Sequence, residues 1–104
     1  MILLRRISQE ELKYVYESAQ ARMEYNPEVA AKYKGMIEAQ PSYKSVKEAK
    51  QAAIDIYNKG RLECQIWARI GSDEEYYYIQ DYFIVSADNR INIAAEYVGM
   101  AQIF

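Results

Sequence analysis

The hydrophobic period of the chain changes from about 3.6 to 2 after Gly60, and this change constrains the fold more than any other sequence feature. Over residues 61–70 every second residue is apolar, which gives one face of a predicted strand Leu62, Cys64, Ile66, Ala68 and Ile70. The other face carries Arg61, Glu63, Gln65, Trp67 and Arg69. This alternation is typical of an antiparallel sheet with one face against a core. We therefore expect the first face to be buried and the second to lie outward.

Two turn signals extend this strand into a predicted β-meander over about 61–95. Gly-Ser-Asp at 71–73 forms the first turn, and Ala-Asp-Asn at 87–89 forms the second. The strand between the turns, at about 76–85, is expected to carry on its outer face Tyr76, Tyr78, Gln80, Tyr82 and Ile84. A third strand is predicted at 90–95.

The first 60 residues predict two helices with clear N-terminal signals. Ser8 with Glu11, and Ser45 with Glu48, match the capping box, in which two side chains satisfy free backbone N–H groups at a helix start. Apolar residues at helical spacing follow each box. The predicted helices run over about 9–25 and 46–58, and Gly60 is expected to end the second in the left-handed conformation.

Three other segments complete the predicted architecture. Pro27 opens a helical stretch at 27–39, in which Gly35 leaves open whether there is one helix or a broken one. Residues 1–7 suit an edge strand, and 96–104 can be strand or helix. The sequence thus predicts a single α+β domain over 1–104, with a helical part at about 8–60. Two or three helices would pack on one face of a three- to four-stranded antiparallel sheet.

Composition narrows the classes of function. The chain of 104 residues has no histidine and one cysteine, Cys64. Cys/His zinc sites are thereby excluded, and the commonest general base is missing. We predict no enzyme activity, no metal and no cofactor, and we expect Cys64 to be a buried, inert thiol. A lone cysteine, with no long apolar run and no signal-peptide pattern, predicts a cytoplasmic protein without a membrane span.

The charge is divided unevenly along the chain. Residues 1–60 hold 10 Lys and Arg against 8 Asp and Glu, whereas residues 61–104 hold 3 against 7. An acidic surface repels phosphate, so direct nucleic-acid binding by the second half is disfavoured.

The outer face and the tip of the predicted hairpin are the candidate site. Aromatic side chains there either stabilise the sheet by cross-strand pairing or anchor a partner, because tyrosine and tryptophan combine apolar area with a polar group. The acidic turn at 73–75 is either a solvated hairpin tip or part of the same partner-binding surface. Carboxylates and phenols can imitate the charge spacing of a nucleic-acid backbone and occupy a basic groove. The predicted partner-binding residues are Glu63, Trp67, Asp73, Glu74, Glu75, Tyr76, Tyr78 and Tyr82.

The leading hypothesis is a small, non-enzymatic protein-binding domain. In its sharper form the domain is an acidic inhibitor or modulator that blocks a basic, nucleic-acid-binding protein, by analogy with small phage and mobile-element antagonists of host defence. One alternative is a small enzyme or ligand-binding fold that uses tyrosines and carboxylates. Another is a weak nucleic-acid-binding module with a basic patch drawn from Arg5, Arg6, Lys44, Lys47 and Lys50. A homodimer is expected to cover the exposed aromatic face.

Overall fold

The computed structural model describes residues 6–74, 76–86 and 90–104. The predicted turn at 87–89 and most of the predicted edge strand at 1–7 therefore lie outside the described residues. In chain order the elements are α1 (Gln9–Tyr25), α2 (Pro27–Glu38), α3 (Val46–Gly60), β1 (Cys64–Ser72), β2 (Tyr77–Ser86), α4 (Ile91–Tyr97) and β3 (Ala101–Gln102). The predicted α+β class and the antiparallel sheet are confirmed.

The helix boundaries follow the capping signals. The Ser8 hydroxyl accepts a hydrogen bond from the Glu11 N–H at 3.1 Å and starts α1, and Ser45 does the same for Glu48 at 3.2 Å and starts α3. Helix α2 continues through Gly35 without a break. The end of α3 differs from the prediction, because Gly60 is still helical and Arg61 takes the left-handed conformation, with φ of 59°.

The sheet has the strand order β2-β1-β3, so only the β1–β2 hairpin of the predicted meander forms. The prediction of a strand at 90–95 was wrong, because this segment is helix α4. Its two isoleucines at alternate positions are too short a pattern to separate a strand from a helix. Packing decides in favour of the helix, which buries Ala94 and Ala95 completely in the cluster that contains Ala30 and Ile37 of α2. The third strand comes instead from 101–102 and pairs with the other edge of β1.

Helices cover both faces of the sheet, and not one face as the alternation suggested. Ile66 and Trp67 are neighbours in β1 and point to opposite faces, yet their exposed fractions are 0% and 5%. Ile66 packs in a cluster with Ala49 and Ala53 of α3. Trp67 packs in a second cluster with buried residues of α1, α2 and α4. The hairpin is therefore the middle layer of the domain.

A β-bulge changes the faces along β2. Arg69 pairs with Asp81 but the next residue, Ile70, pairs with Ile79, so Gln80 is an extra residue on β2. The extra residue shifts the in/out alternation of β2 by one, so side chains that would share a face without the bulge point to opposite faces of the sheet. Tyr82 lies on the α3 side of the sheet with Ala68, whereas Tyr78 lies with Gly71 on the side of Trp67.

Candidate functional site

The tip of the hairpin is a compact acidic turn. The Asp73 N–H donates to the Tyr76 carbonyl at 3.1 Å, and the Tyr76 N–H donates to the Asp73 carboxylate, also at 3.1 Å. These two bonds close the turn and leave Asp73, Glu74 and Tyr76 exposed. Glu75, a predicted site residue, lies outside the described residues. The predicted acidic tip at Asp73 and Glu74 is confirmed, but the turn predicted at 71–73 begins too early, because Gly71 and Ser72 are in β1 and pair with Tyr78 and Tyr77.

The N-terminal half of α1 is fastened to the base of this turn. The Gln9 side-chain amide accepts from the Tyr77 N–H at 3.1 Å and donates to the Tyr77 carbonyl. The Tyr77 hydroxyl donates to the Glu17 carboxylate at 3.0 Å, and its ring centroid lies 5.4 Å from that of Tyr16. Helix and hairpin are thus held in a fixed relation by main-chain, side-chain and ring contacts.

Between them runs a groove of about 340 Å³, which we call the acidic groove, lined by Gln9, Glu10, Lys13, Glu17, Asp73, Glu74 and Tyr77. Four carboxylates and one lysine face this space. Sequence reasoning missed the contribution of α1, because Glu10 and Glu17 are about 60 residues from the tip. Acidic residues near a helix start are ordinarily interpreted as partners of the helix dipole, so no local signal pointed to the groove.

Tyr77 acts in the groove as a hydrogen-bond donor. Its hydrogen bond to Glu17, its burial and the negative charge of Glu17 raise the pKa of Tyr77 above the ordinary value of a phenol. The hydroxyl therefore keeps its proton throughout the neutral range. It presents Glu17 in one orientation, which leaves the other lone pairs of that carboxylate available to a ligand.

Tyr76 and Tyr78 form an aromatic pair at the same end of the hairpin as the acidic groove, but Tyr78 points to the sheet face opposite to Tyr77. Their ring centroids are 6.1 Å apart in an edge-to-face arrangement, and the exposed fractions of the two residues are 54% and 37%. The Tyr78 ring lies over Gly71, where an added Cβ would come within 2.6 Å of the ring. The pair therefore combines one ring held against the strand with one that projects into solvent.

Three of the predicted site residues are not part of this surface. Trp67 was predicted to face outward, but it is buried against Phe83, and its indole N–H donates to the Gln65 side chain at 2.9 Å. Tyr82 packs on the α3 side of the sheet, because the bulge places it on the face opposite to Tyr78. Glu63 precedes β1, and the nine residues of that strand place it roughly 30 Å from Asp73.

Asp81 of β2 forms a polar cluster with Arg69 of β1, away from the acidic tip. The Arg69 guanidinium donates to Asp81 at 2.8 Å and to the carbonyls of Ile37 and Gln40, at 2.8 and 3.0 Å, at the end of α2. Burial alone would raise the pKa of Asp81. Hydrogen bonds from Arg69 and Ser42, with the nearby positive charges of Arg69 and Lys44, instead lower the pKa below its usual value. Asp81 is thus an ionised structural partner.

A second cleft of about 340 Å³, which we call the base cleft, lies at the opposite end of β1 and is lined by Ala53, Ile54, Tyr57, Glu63, Cys64 and Phe104. It is predominantly apolar, with Glu63 as its charged residue. Cys64 was predicted to be buried, but it is a half-buried thiol in the wall of this cleft. No local pattern indicated the cleft, because α3, β1 and the C-terminal residues meet there only in the folded chain.

No protein-family model, curated protein or solved structure matches the chain. Among the described residues, no cluster of three or more His, Cys, Asp or Glu side chains has the arrangement of a metal site. Within the same residues, none of the helices has both the length and the apolar character needed to cross a bilayer.

Proposed function

We propose that this chain is a small, non-enzymatic protein-binding domain that docks through its acidic groove onto a basic surface of a partner protein. The observation that carries the proposal is the convergence of four carboxylates from α1 and the hairpin tip in one groove, with the aromatic pair of Tyr76 and Tyr78 at the same end of the hairpin. Arg and Lys side chains are the complements of such a surface, because charge-assisted hydrogen bonds to carboxylates are stronger than neutral ones.

Fixed geometry supports this proposal. The Gln9 and Glu17 contacts to Tyr77 hold the groove in shape before any partner arrives, so little conformational entropy is lost on docking. Tyr76 and Tyr78 supply the apolar contact area that carboxylates lack, and tyrosine is enriched among residues that dominate binding energy. The acidic groove and the aromatic pair therefore lie at the same end of the hairpin, with the Tyr78 ring on the sheet face opposite to the Tyr77 ring.

The sharper proposal is that the partner binds nucleic acid and that this domain inhibits or modulates it. A groove that binds phosphates is lined with Arg and Lys, and a row of carboxylates and phenols can occupy it in place of the nucleic acid. In this respect the domain would resemble the small acidic proteins by which phages or mobile elements inhibit host defence. The single cysteine, Cys64, suits action in the cytoplasm.

The test is a matched set of charge-neutralised variants used to capture proteins from cells of the native host. The groove variant combines Glu10→Gln, Asp73→Asn and Glu74→Gln, and the Asp73→Asn change keeps a side-chain oxygen as the acceptor that closes the turn. The control variant removes the same number of charges elsewhere on the surface, by Glu24→Gln, Glu28→Gln and Glu38→Gln. Both should unfold at the same temperature as the wild type, because all six side chains are exposed.

We expect the wild type and the control to retain the same partner and the groove variant to lose at least about tenfold in affinity for it, which a loss of about 1.4 kcal/mol produces. Binding should also weaken as salt rises, because exposed charges are screened. The purified partner should release a labelled oligonucleotide when the wild type is added, and it should not when the groove variant is added. If the groove variant and the control variant capture the partner equally well, the acidic groove is not the binding site.

A further inference from the structure

We propose that the base cleft is the surface through which two copies of this chain form a two-fold dimer. Three large side chains in its walls stay exposed in the single chain, with exposed fractions of 44% for Ile54, 44% for Tyr57 and 41% for Phe104. They come from α3 and from the C-terminal residues, and they form one continuous lining with Ala53 and Cys64. An apolar surface that gathers residues from distant parts of the chain is typical of a contact site.

The charges at the rim indicate what covers this surface. The Arg61 guanidinium lies 5.6 Å from the centroid of the Tyr57 ring, and the Glu63 side chain forms part of the wall. Both residues are exposed. In a two-fold interface the same patch meets itself, so each residue must be complementary to another residue of the same patch. A rim with one positive and one negative side chain meets this condition, because Arg61 can pair with the partner's Glu63 on both sides of the axis.

The acidic groove fails the same condition. Its four carboxylates and single lysine would face the same excess of negative charge on a second copy, and like charges repel. A dimer formed through the acidic groove is therefore disfavoured relative to a dimer formed at the base cleft. Because the two sites lie at opposite ends of β1, dimerisation leaves both acidic grooves accessible. The dimer proposal is thus independent of the proposed function.

Sedimentation equilibrium under reducing conditions, which prevent a disulfide through Cys64, tests the proposal. We expect the wild type to dimerise reversibly as its concentration rises towards about 1 mM. Two single variants, Arg61→Asp and Glu63→Lys, should each weaken the dimer at least about tenfold, because each places like charges across the axis. Asp is chosen because it tolerates the left-handed backbone of this position better than most residues. Lys59→Glu, a charge reversal on an exposed residue outside the cleft lining, is the control and should leave the dimer unchanged.

Mixing the two single variants is the decisive experiment. In the mixture, the lysine introduced at position 63 of one copy faces the aspartate introduced at position 61 of the other, and the unaltered Arg61 faces the unaltered Glu63, so a heterodimer regains both attractive pairs. Native mass spectrometry should find this heterodimer in large excess over either homodimer, and the double charge swap in one chain should restore the homodimer. A wild type that remains monomeric at about 1 mM overturns the proposal. So does a dimer that single variants do not weaken, or that mixing does not restore.

Discussion

The two faces of β1 are both buried, but they are buried by different means. On one face Ile66, Ala68 and Ile70 pack against α3 and α1 by apolar contact alone. On the other, Gln65, Trp67 and Arg69 alternate between polar and aromatic, as an outward face would. Trp67 is nevertheless 5% exposed, and the polar atoms beside it have partners within the domain.

The difference shows that alternation reports the chemistry of side chains and not their exposure. A polar face can be covered when each of its donors meets an acceptor, since only an unsatisfied buried group carries the full desolvation cost. Arg69 meets this condition by binding Asp81 of β2 and the carbonyls of Ile37 and Gln40, at and just beyond the end of α2. Its guanidinium also lies 4.9 Å from the centroid of the Phe83 ring. Among the described residues, no buried side-chain N or O atom lacks a hydrogen-bond partner.

The largest effect is expected from Trp67→Ala, which tests whether the second face is core. Removing a buried indole should lower the free energy of unfolding by about 3–5 kcal/mol, because the cavity cannot collapse fully. Urea denaturation followed by circular dichroism measures this. Tyr76→Ala, at an exposed aromatic of the tip, is the control and should change stability by less than about 0.5 kcal/mol. Similar stabilities for the two variants would mean that the second face is an exposed surface.

Arg69→Ala comes next, and it tests whether the polar face depends on its internal partners. The substitution leaves Asp81 and the carbonyls of Ile37 and Gln40 without their donor, so we expect a loss of about 2–4 kcal/mol. A double-mutant cycle with Asp81→Ala should show a coupling of about 1–3 kcal/mol between the two residues. Lys32→Ala, an exposed cation of α2, should be near neutral. Additive losses in the cycle would contradict a direct dependence of one residue on the other.

A smaller effect is expected on the stability at acid pH, through Asp81, the ionised partner of Arg69 on the polar face. The pKa of Asp81 is lowered in the folded chain from its ordinary value of 3.8, so the unfolded chain binds more protons in the range between the two values. The contribution of ionised Asp81 to the free energy of unfolding is therefore complete above pH 3.8, and it is lost as the pH falls through the pKa of Asp81 in the folded chain. Chemical denaturation at successive pH values should show a shallower decline below about pH 4 for Asp81→Asn than for the wild type. Parallel curves would exclude this role of Asp81.

The smallest effect compares two tyrosines that the sequence placed on one outer face. Tyr78→Ala should cost about 0.5 kcal/mol, because its ring is partly exposed and contacts Gly71 and Tyr76. Tyr82→Ala should cost about 1 kcal/mol more, because Tyr82 packs in the cluster of α3 and Ile66. Thermal unfolding of the two variants under identical conditions measures the difference. A larger loss for Tyr78→Ala would contradict the separation of their faces by the bulge.

Local signals in the sequence were sufficient to predict α1 and α3. Ser8 and Ser45 act on N–H groups three residues away, so their capping is encoded within one turn. The single helix across Gly35 was left open, since a glycine costs only about 1 kcal/mol relative to alanine and tertiary packing outweighs it. The strand predicted at 90–95 failed for the converse reason. Two alternating isoleucines suggested a strand, and contacts with α2 impose a helix.

The candidate site was half predictable. The acidic tip at Asp73 and Glu74 is encoded by adjacent residues, although the turn begins two residues later than predicted, because Gly71 and Ser72 still pair with β2. The groove depends on contacts of Tyr77 with Gln9 and Glu17, which are 68 and 60 residues away in the chain, and no local pattern reveals them. Trp67 was misplaced because burial of an indole depends on whether Gln65 and the helices of the second layer satisfy and cover it.

The contacts that shape the groove also close an open edge of the sheet. Strand β2 lies at the margin of the sheet, and an unpaired margin is a template on which further chains can add as strands. Its segment Tyr77–Ser86 is rich in tyrosine and β-branched residues, has no proline and carries one charge, a composition that favours amyloid-like stacking. The Gln9 amide occupies the margin at Tyr77, and the backbone of Tyr43 occupies it at Tyr82. One glutamine and one bridging tyrosine thus occupy two positions along this edge, where they stand in the way of an added strand.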